Sequence, residues 1–508
     1  MRRHAFPAAG HVYRSYGGRA MLVNGTMAGI VKLSCDKMPL RHTLPLVLLL
    51  AMGHGPLAGA GWLSPYAHSA WPAPHAQGRN ATAVTFSLPI HLTMGWRALE
   101  DHTFYQGVTI GPAGQLYAAT GKGVGFASLH ALGTDGSLLW ESAPYQTPSD
   151  LDSGAVFSAP TIDRHGDLYL TDSNQFWALH EDGRIKWVEP LPAGALPALA
   201  VQFIGKAVVA VTGDGQVIAR ARSDGRLLAP VLRLPDVAPV SGDHAPNSQL
   251  PPLDGRIDPA LRQAFIDVLF GYSWPVTNTP AVHPLLPRLY IPARTATGSS
   301  LYALDLHDAP GRKVPARWQV AFAAPLAGQG AASPALSPDG RRVYCAEGGD
   351  TLVATDAVNG HRLWALPLGA NLLAAPTVAN DGAIFVNAGA IVALSPQGTI
   401  RWRQDFSAFA PLVTDIRVPV ATGRGNSVIT AAPNALYVVV GFRAAPYFFI
   451  LDPANGAVLD EPIRLAASSE TIIATAPSGA AYVTHMGLLT AGLQGGGITA
   501  LLPVAAMP

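Results

Sequence analysis

A repeated hairpin pattern constrains the fold of this chain more than any other feature. Each copy has a β-run with an aromatic residue, an apolar run often ending in Ala-Leu, an Asp-Gly-type turn and a strand usually closed by Trp. About eight copies recur at roughly 40–50 residues, a period typical of repeat architectures. The clear copies end at Trp140, Trp187, Trp364 and Trp402, and weaker ones span 217–229, 301–318, 449–460 and 488–502.

The local signals within each copy predict an antiparallel unit of three or four short strands. Asp-Gly pairs such as Asp182-Gly183 supply the positive φ that tight hairpins require. Several copies begin a strand after a small residue and Pro, as in Ser158-Ala159-Pro160. One such sheet cannot bury both faces, whereas a closed ring of sheets can. We therefore predict an all-β, eight-bladed β-propeller of four-stranded antiparallel blades. Seven blades are the alternative, because the third and last copies are weak.

The repeat resembles that of a known family. The spacing Ala354-x-Asp356-x-x-x-Gly360-x-x-x-Trp364 is similar to the signature of pyrroloquinoline-quinone-like (PQQ-like) propeller repeats. The resemblance extends over residues 104–502 and implies that the Trp docks between neighbouring blades. It also implies several functions, because the family includes quinoprotein alcohol dehydrogenases, the propeller lipoprotein of the outer-membrane β-barrel assembly machinery and many secreted propellers.

Composition favours a large packed core and argues against two classes of partner. Of the 508 residues, 49% are hydrophobic and 13% are charged, as expected for sheets buried on both faces. The net charge of +1 provides no field for nucleic acid or an anionic membrane. We expect neither as a partner, and we expect a monomer.

The N-terminal region predicts secretion. Residues 44–52 form an apolar run too short to span a bilayer, and Ala58-Gly59-Ala60 follows it as an A-x-A cleavage pattern. A signal of ordinary length begins at Met38, so we infer translation from Met38 and cleavage after Ala60, with a short membrane anchor as the alternative. No Cys lies near the cleavage site, so no lipid anchor is expected. The predicted location is periplasmic or extracellular.

Domain boundaries follow from these segments. Residues 1–60 are interpreted as an N-terminal extension plus signal peptide. Residues 61–83, rich in Ala, Pro, His and Gly, are predicted to be a poorly ordered linker. Residues 84–508 form a single propeller, interrupted by an insertion at about 233–276.

The insertion carries a predicted helix. Asp258 can cap it, Pro259 suits its first turn and Gly271 can end it. Its shared apolar face consists of Leu261, Phe265, Val268 and Leu269. Two interpretations stay open: a helix that packs on its own blades, or a lid or docking surface at the central funnel.

Motifs for chemistry are weak. Quinoproteins of the resembling family use a calcium or lanthanide ion, an aspartate base and a vicinal disulfide, but this chain has only Cys35 and Cys345. We therefore expect neither PQQ nor calcium, and Cys345 is predicted to be a packed thiol. Asp150 and Asp152 could offer carboxylates to calcium but are interpreted as a solvated acidic turn.

Two further motifs do not match the pattern of a known site. His180-Glu181 lacks the second His of a zinc motif and falls at a hairpin turn. The glycines of 121–125 join two strands, with no following helix to hold phosphate.

The sequence thus predicts a binding or assembly scaffold for a protein or glycan partner. The alternative is an enzyme with a central-funnel active site, either quinoprotein dehydrogenase-like or a propeller hydrolase or lyase. No catalytic, cofactor-binding or metal-binding residue is assigned. Functional residues are expected where the repeat is broken: in the insertion, around 150–152 and along the funnel.

Overall fold

Each repeat folds into one four-stranded antiparallel sheet, because alternating apolar residues pair across tight Gly turns. The computed structural model describes the following residues: 64–242, 263–264, 267–268, 273–307, 315–328, 332–347, 349–370, 372, 374–409, 428–440, 446–465, 472–486 and 496–504. All of them belong to one unit, Ala60–Pro508. The predicted start at Met38 and the signal peptide lie outside the described residues.

The first four blades take their strands consecutively from the chain. Their bounds are, for blade 1, β2 Thr109–Ile110, β3 Leu116–Ala119, β4 Leu129–Leu132 and β5 Leu138–Glu141; for blade 2, β6 Thr161–Ile162, β7 Leu168–Thr171, β8 Gln175–Leu179 and β9 Ile185–Pro190; for blade 3, β10 Ala198–Ile204, β11 Ala207–Thr212, β12 Gln216–Ala221 and β13 Leu232–Arg233; and for blade 4, β14 Ala281–Val282, β15 Arg288–Thr295, β16 Gly298–His307 and β17 Arg317–Leu326.

The remaining blades follow the same order, except that the last one borrows a strand. Their bounds are, for blade 5, β18 Ala335–Leu336, β19 Arg342–Glu347, β20 Thr351–Asp356 and β21 Arg362–Pro367; for blade 6, β22 Thr377–Val378, β23 Ile384–Asn387, β24 Ile391–Leu394 and β25 Ile400–Gln404; for blade 7, β26 Thr430–Ala431, β27 Leu436–Val440, β28 Tyr447–Leu451 and β29 Ile463–Arg464; and for blade 8, β30 Ala474–Thr475, β31 Ala481–His485, β32 Gly497–Pro503 and β1 Leu92–Ala98. Two 3₁₀ helices are described, Ser153–Phe157 and Ser407–Phe409.

Eight blades are therefore confirmed, and the degraded last repeat is explained. Its outer strand is β1, which pairs antiparallel with β32 from Leu92–Pro503 to Ala98–Ile498. The N-terminal strand thus completes the C-terminal blade, which joins the two ends of the chain into a closed ring. The tryptophan missing from the last copy is Trp96, which the sequence analysis did not assign to a blade.

Tryptophans dock between blades as the family resemblance implied. The indole N–H of Trp140 donates to the Glu181 carbonyl of blade 2, and that of Trp96 donates to the Thr134 carbonyl of blade 1. Each indole also lies against a turn glycine of the next blade, where no Cβ would fit. The buried strand aromatics pack on the same rings, as Tyr117 does on Trp140 with centroids 6.0 Å apart.

The predicted closing residue of the fourth repeat is wrong. The docking position pairs with the Ala of the preceding strand, as Ala354 pairs with Trp364. In blade 4 the corresponding Ala303 pairs with Phe322. Phe322 lies against Gly360 of blade 5, whereas Trp318 lies four residues earlier on the same strand. The pairing of β16 with β17 continues to His307–Arg317, whereas that of β20 with β21 ends at Thr355–Arg362, so Trp318 lies opposite Leu306, beyond the docking position.

Residues 64–84, called the axial strap below, replace the predicted disordered linker. This segment is largely buried, with Trp71 1% and Ala73 0% exposed. Its carbonyls accept hydrogen bonds from the last residue of the inner strand in six blades. The donors are the backbone N–H groups of Ile110, Ile162, Val282, Leu336, Val378 and Ala431. The expectation failed because these bonds use the backbone, which leaves no hydrophobic period in the sequence.

Side chains connect the strap to blade 3 and fix its path. Tyr66 donates to Gln202 at 2.6 Å, and Gln202 donates to Asn80 at 3.4 Å. Asn80 in turn donates to the carbonyls of Thr279 and Pro334, both at 3.0 Å. The strap therefore contacts blades 1–7 before β1 enters blade 8, and it ties the ring together from one end.

Candidate functional site

The central axis is the first place to examine in a propeller. The first strands of neighbouring blades contact one another around it. We call the end where these strands begin the cap end, and the end where they finish the strap end. Because the axial strap bonds to the last residue of six of the eight inner strands, it covers the strap end.

An apolar cluster lies at the cap end. Phe157 precedes the inner strand of blade 2, Trp274 precedes that of blade 4, and their rings lie 5.5 Å apart. Tyr105, from blade 1, packs edge-on against Phe157 at 5.5 Å. Leu199 of blade 3 and Met486 of blade 8 complete the cluster. Side chains from five blades thus meet here as an apolar group.

The insertion contributes to this cluster. Its described residues 263–264 and 267–268 are helical, which agrees with the predicted helix at those positions. Val268 is buried in the cap-end cluster, and Asp267 accepts hydrogen bonds from Gln263 and Ser273. The described part therefore packs on its own blades. The predicted residues Asp258, Pro259, Leu261, Phe265, Leu269 and Gly271 lie outside the described residues.

Asp150 and Asp152 do not form one acidic turn. Asp150 accepts hydrogen bonds from the backbone of Gln146 and Thr147 in an exposed turn, as predicted. Asp152 is 7% exposed and caps the 3₁₀ helix Ser153–Phe157. The expectation of a solvated pair was therefore wrong for Asp152, because the helix turns its carboxylate inwards against blade 2.

Asp152 lies beside a second buried carboxylate, Asp172, which sequence spacing does not relate to it. The backbone N–H of Asp152 is 3.4 Å from Asp172 Oδ2, and Trp177 Nε1 donates to the same oxygen at 2.7 Å. Asp172 Oδ1 accepts from the backbone of Asn174 and Gln175. Burial and the neighbouring Asp152 charge raise the pKa of Asp172 to about 7. Asp172 can therefore take up or release a proton near neutral pH.

This pair makes stability depend on pH. Asp172 loses its proton near pH 3.8 when unfolded but keeps it to about pH 7 when folded, so the free energy of unfolding should fall as pH rises between those values. Asp152→Asn removes the neighbouring charge, and we expect it to reduce that fall by about 1 kcal/mol. Urea denaturation at pH 5, 6.5 and 8 measures how the free energy of unfolding changes with pH. Asp150→Asn is the control, and equal slopes in all three proteins would contradict the assignment.

The other sequence candidates occupy structural positions. Cys345 is fully buried, and burial raises its pKa to about 12, so it is a packed thiol as predicted. His180 lies at the blade 2 hairpin and pairs with Asp167 at 2.9 Å. Residues 121–125 form the loop between β3 and β4. Among the described residues no group of three or more His, Cys, Asp or Glu could hold a metal ion.

A charged network at the strap end of blade 2 was missed by the sequence analysis. Asp163, with a side chain only 2% exposed, pairs with Arg222 at 3.0 Å and accepts from Tyr169 at 3.2 Å. Arg222 also donates to the strap carbonyl of Pro65, and Lys186 pairs with Asp167 at 2.5 Å. The network anchors the start of the strap. Its one sequence signal is Asp163, at a turn position occupied by Ala or Ser in most other blades.

The outer edges of the blades form the remaining candidate surface. The outer strand of blade 4, β17, has ten residues, whereas the other outer strands have two to seven. From Trp318 to Leu326 it carries no charge. Other edges carry charges that discourage pairing, such as Arg401 and Arg403 in β25. Among the described blades, β17 is therefore the longest outer edge and carries the longest run of residues without charge.

Fold and repeat together define the class of protein: an eight-bladed β-propeller built of PQQ-like repeats. A family model described as outer membrane protein assembly factor BamB matches residues 93–231 and 305–461, more than half of the chain, and the chain belongs to this family.

Solved structures share the fold at low identity. Quinohemoprotein alcohol dehydrogenase from Comamonas testosteroni matches with a TM-score of 0.58 at 11% identity, covering 86% of this chain and 81% of that one. BamB from Moraxella catarrhalis matches with a TM-score of 0.50 at 15% identity, and the match covers 82% of this chain and 99% of that one. A europium-containing methanol dehydrogenase matches with a TM-score of 0.54 at 11% identity, and the match covers 84% of this chain and 90% of that one. No curated protein sequence matches significantly. Within the described residues, no helix is long and apolar enough to cross a membrane.

Proposed function

We propose that this protein is a non-catalytic assembly scaffold that works in the periplasm or outside the cell. One observation carries the proposal: among the described residues, apolar side chains from five blades pack at the cap end and the buried strap runs across the strap end. The cap end holds Phe157, Trp274 and Met486, and the strap end holds Trp71. A central-funnel enzyme needs that volume for its substrate or cofactor. The match to an assembly factor family also supports a role as an assembly scaffold.

The partner is proposed to be a protein that adds an extended strand to the β17 edge. Backbone N–H and C=O groups at a sheet edge bind another strand by main-chain hydrogen bonds, a mode unavailable to glycans. Gln319 and Ala323 are exposed along this edge, while Phe322 holds the strand against blade 5. The length of β17 and the absence of charge from Trp318 to Leu326 distinguish it from the other outer strands.

Site-specific photocrosslinking tests this proposal. A photoreactive amino acid at Gln319 should capture a defined protein in living cells, whereas the same group at Leu363 on β21, which is 46% exposed, should not. Ala323→Lys places a charge on the edge and should reduce capture at least tenfold. Leu363→Lys is the matched control.

Two results would contradict the proposal. Equal capture at positions 319 and 363 would remove β17 as the docking edge. Stoichiometric uptake of pyrroloquinoline quinone with calcium by the purified protein, followed by absorbance, would favour a quinoprotein enzyme instead.

A further inference from the structure

A buried arginine on the strap has no carboxylate partner. Arg79 is 9% exposed and lies where the strap crosses from blade 5 to blade 6. It donates to the Leu336 carbonyl at 3.3 Å and to Asn380 Oδ1 at 2.9 Å. Both acceptors are neutral, and no described Asp or Glu forms an ion pair with it. Burial lowers the pKa of Arg79 to about 10, with no carboxylate to oppose the shift.

The other buried arginines of the described chain are neutralised. Arg288 forms a bidentate ion pair with Asp305, in which Nε donates to Oδ1 at 2.7 Å and Nη2 donates to Oδ2 at 2.8 Å. Arg220 pairs with Glu189 at 3.1 Å. A buried charge without a counter-ion is costly, so buried charges are normally paired. Arg79 is therefore the exception that requires an explanation.

The guanidinium of Arg79 retains N–H groups that no described residue bonds. Two of its five N–H groups make the bonds described above. Its Nε donates to no described residue and is not among the fully enclosed polar atoms of the described chain. The bond to Asn380 fixes the plane of the group, because Asn380 is itself held by a hydrogen bond to the Val84 carbonyl at 2.9 Å.

We propose that Arg79 is the receptor for a carboxylate that binds from outside at the strap end. A planar carboxylate matches the parallel N–H groups of one guanidinium. A phosphate dianion fits less well, because no second cation neighbours Arg79 within the described chain. The site lies apart from the β17 edge and does not depend on the proposed function.

Binding of simple carboxylates to the full protein tests the assignment. Sodium acetate, at constant ionic strength and pH 7.5, should raise the thermal unfolding midpoint in a saturable manner, because it binds only the folded site. Sodium chloride and phosphate should give no saturable shift. An N-acetylated dipeptide acid and its C-terminal amide are compared next, and binding of the acid but not the amide would assign the carboxylate to a peptide terminus.

Two variants separate a receptor from a structural arginine. Arg79→Lys keeps the positive charge but loses the parallel N–H groups of the guanidinium, and should weaken acetate binding at least tenfold. Arg79→Met should abolish the acetate response. Arg226→Met is the control, since Arg226 is exposed and already pairs with Asp224 at 3.5 Å. An unchanged acetate response in Arg79→Lys, or phosphate binding as tightly as acetate, would overturn the proposal.

Discussion

Replacing Trp71 by Ala should lower the free energy of unfolding by about 3–5 kcal/mol, among the largest single-residue effects in this fold. Trp71 is 1% exposed, and its carbonyl accepts from Ile110 at 2.8 Å. Its ring belongs to a cluster that includes Val108 of blade 1 and Ile473 beside the inner strand of blade 8. The cavity would therefore open where the first and last blades meet.

Urea denaturation and limited proteolysis measure this effect. Trp71→Ala should expose residues 64–84 to protease at concentrations that leave the wild-type strap intact, because the strap would open locally before the blades unfold. Trp318→Ala, on the outer strand β17, should leave strap cleavage unchanged. A Trp71→Ala protein as stable as the wild type would mean that the strap does not hold the ring.

Gly136→Ala should also be strongly destabilising, because it acts on the contact that closes the ring. Gly136 has φ +84°, and an added Cβ would lie 2.6 Å from the Trp96 ring of blade 8. Gly194 has a similar φ of +74° but open space around it. Gly194→Ala should therefore lower the free energy of unfolding by only about 1–2 kcal/mol, the cost of holding a residue with a Cβ in the left-handed conformation. Gly136→Ala should cost about 2 kcal/mol more, because it overpacks the indole.

Paired chemical denaturation of these two glycine variants isolates the docking contact from backbone strain. Equal losses of stability would show that Trp96 moves aside without penalty, and that docking of this tryptophan contributes little to closure of the ring.

The blades themselves were predictable because their determinants are local. Alternating apolar residues, Asp-Gly turns and the Ala–Trp spacing act within one hairpin, so Trp140, Trp187, Trp364 and Trp402 all dock as expected. The prediction failed for Trp318, because β16 and β17 stay paired beyond the docking position, which shifts that position four residues along the strand to Phe322. Sequence spacing does not reveal such a shift, since both residues are aromatic and lie on the same strand.

The candidate sites were less predictable because they join distant segments. Asp152 and Asp172 come from two different loops of blade 2, and only burial makes them a pair. Asp163 and Arg222 come from adjacent blades, and Arg79 meets residues more than 250 positions away. Apart from Asp163, which replaces the Ala or Ser found at this turn position in most other blades, a single sequence carries no signal for such contacts, since each residue taken alone resembles an ordinary surface charge.

The sequence by itself determined the repeat, the propeller class and the hairpin geometry, because these depend on residue patterns within about 40–50 positions. Only the tertiary structure decided how the ring closes and what fills its axis. β1 completes blade 8, and the strap binds the inner strands through backbone groups that every sequence has. Those contacts depend on where the chain runs rather than on which residues it carries, so no residue pattern in 61–83 predicts them.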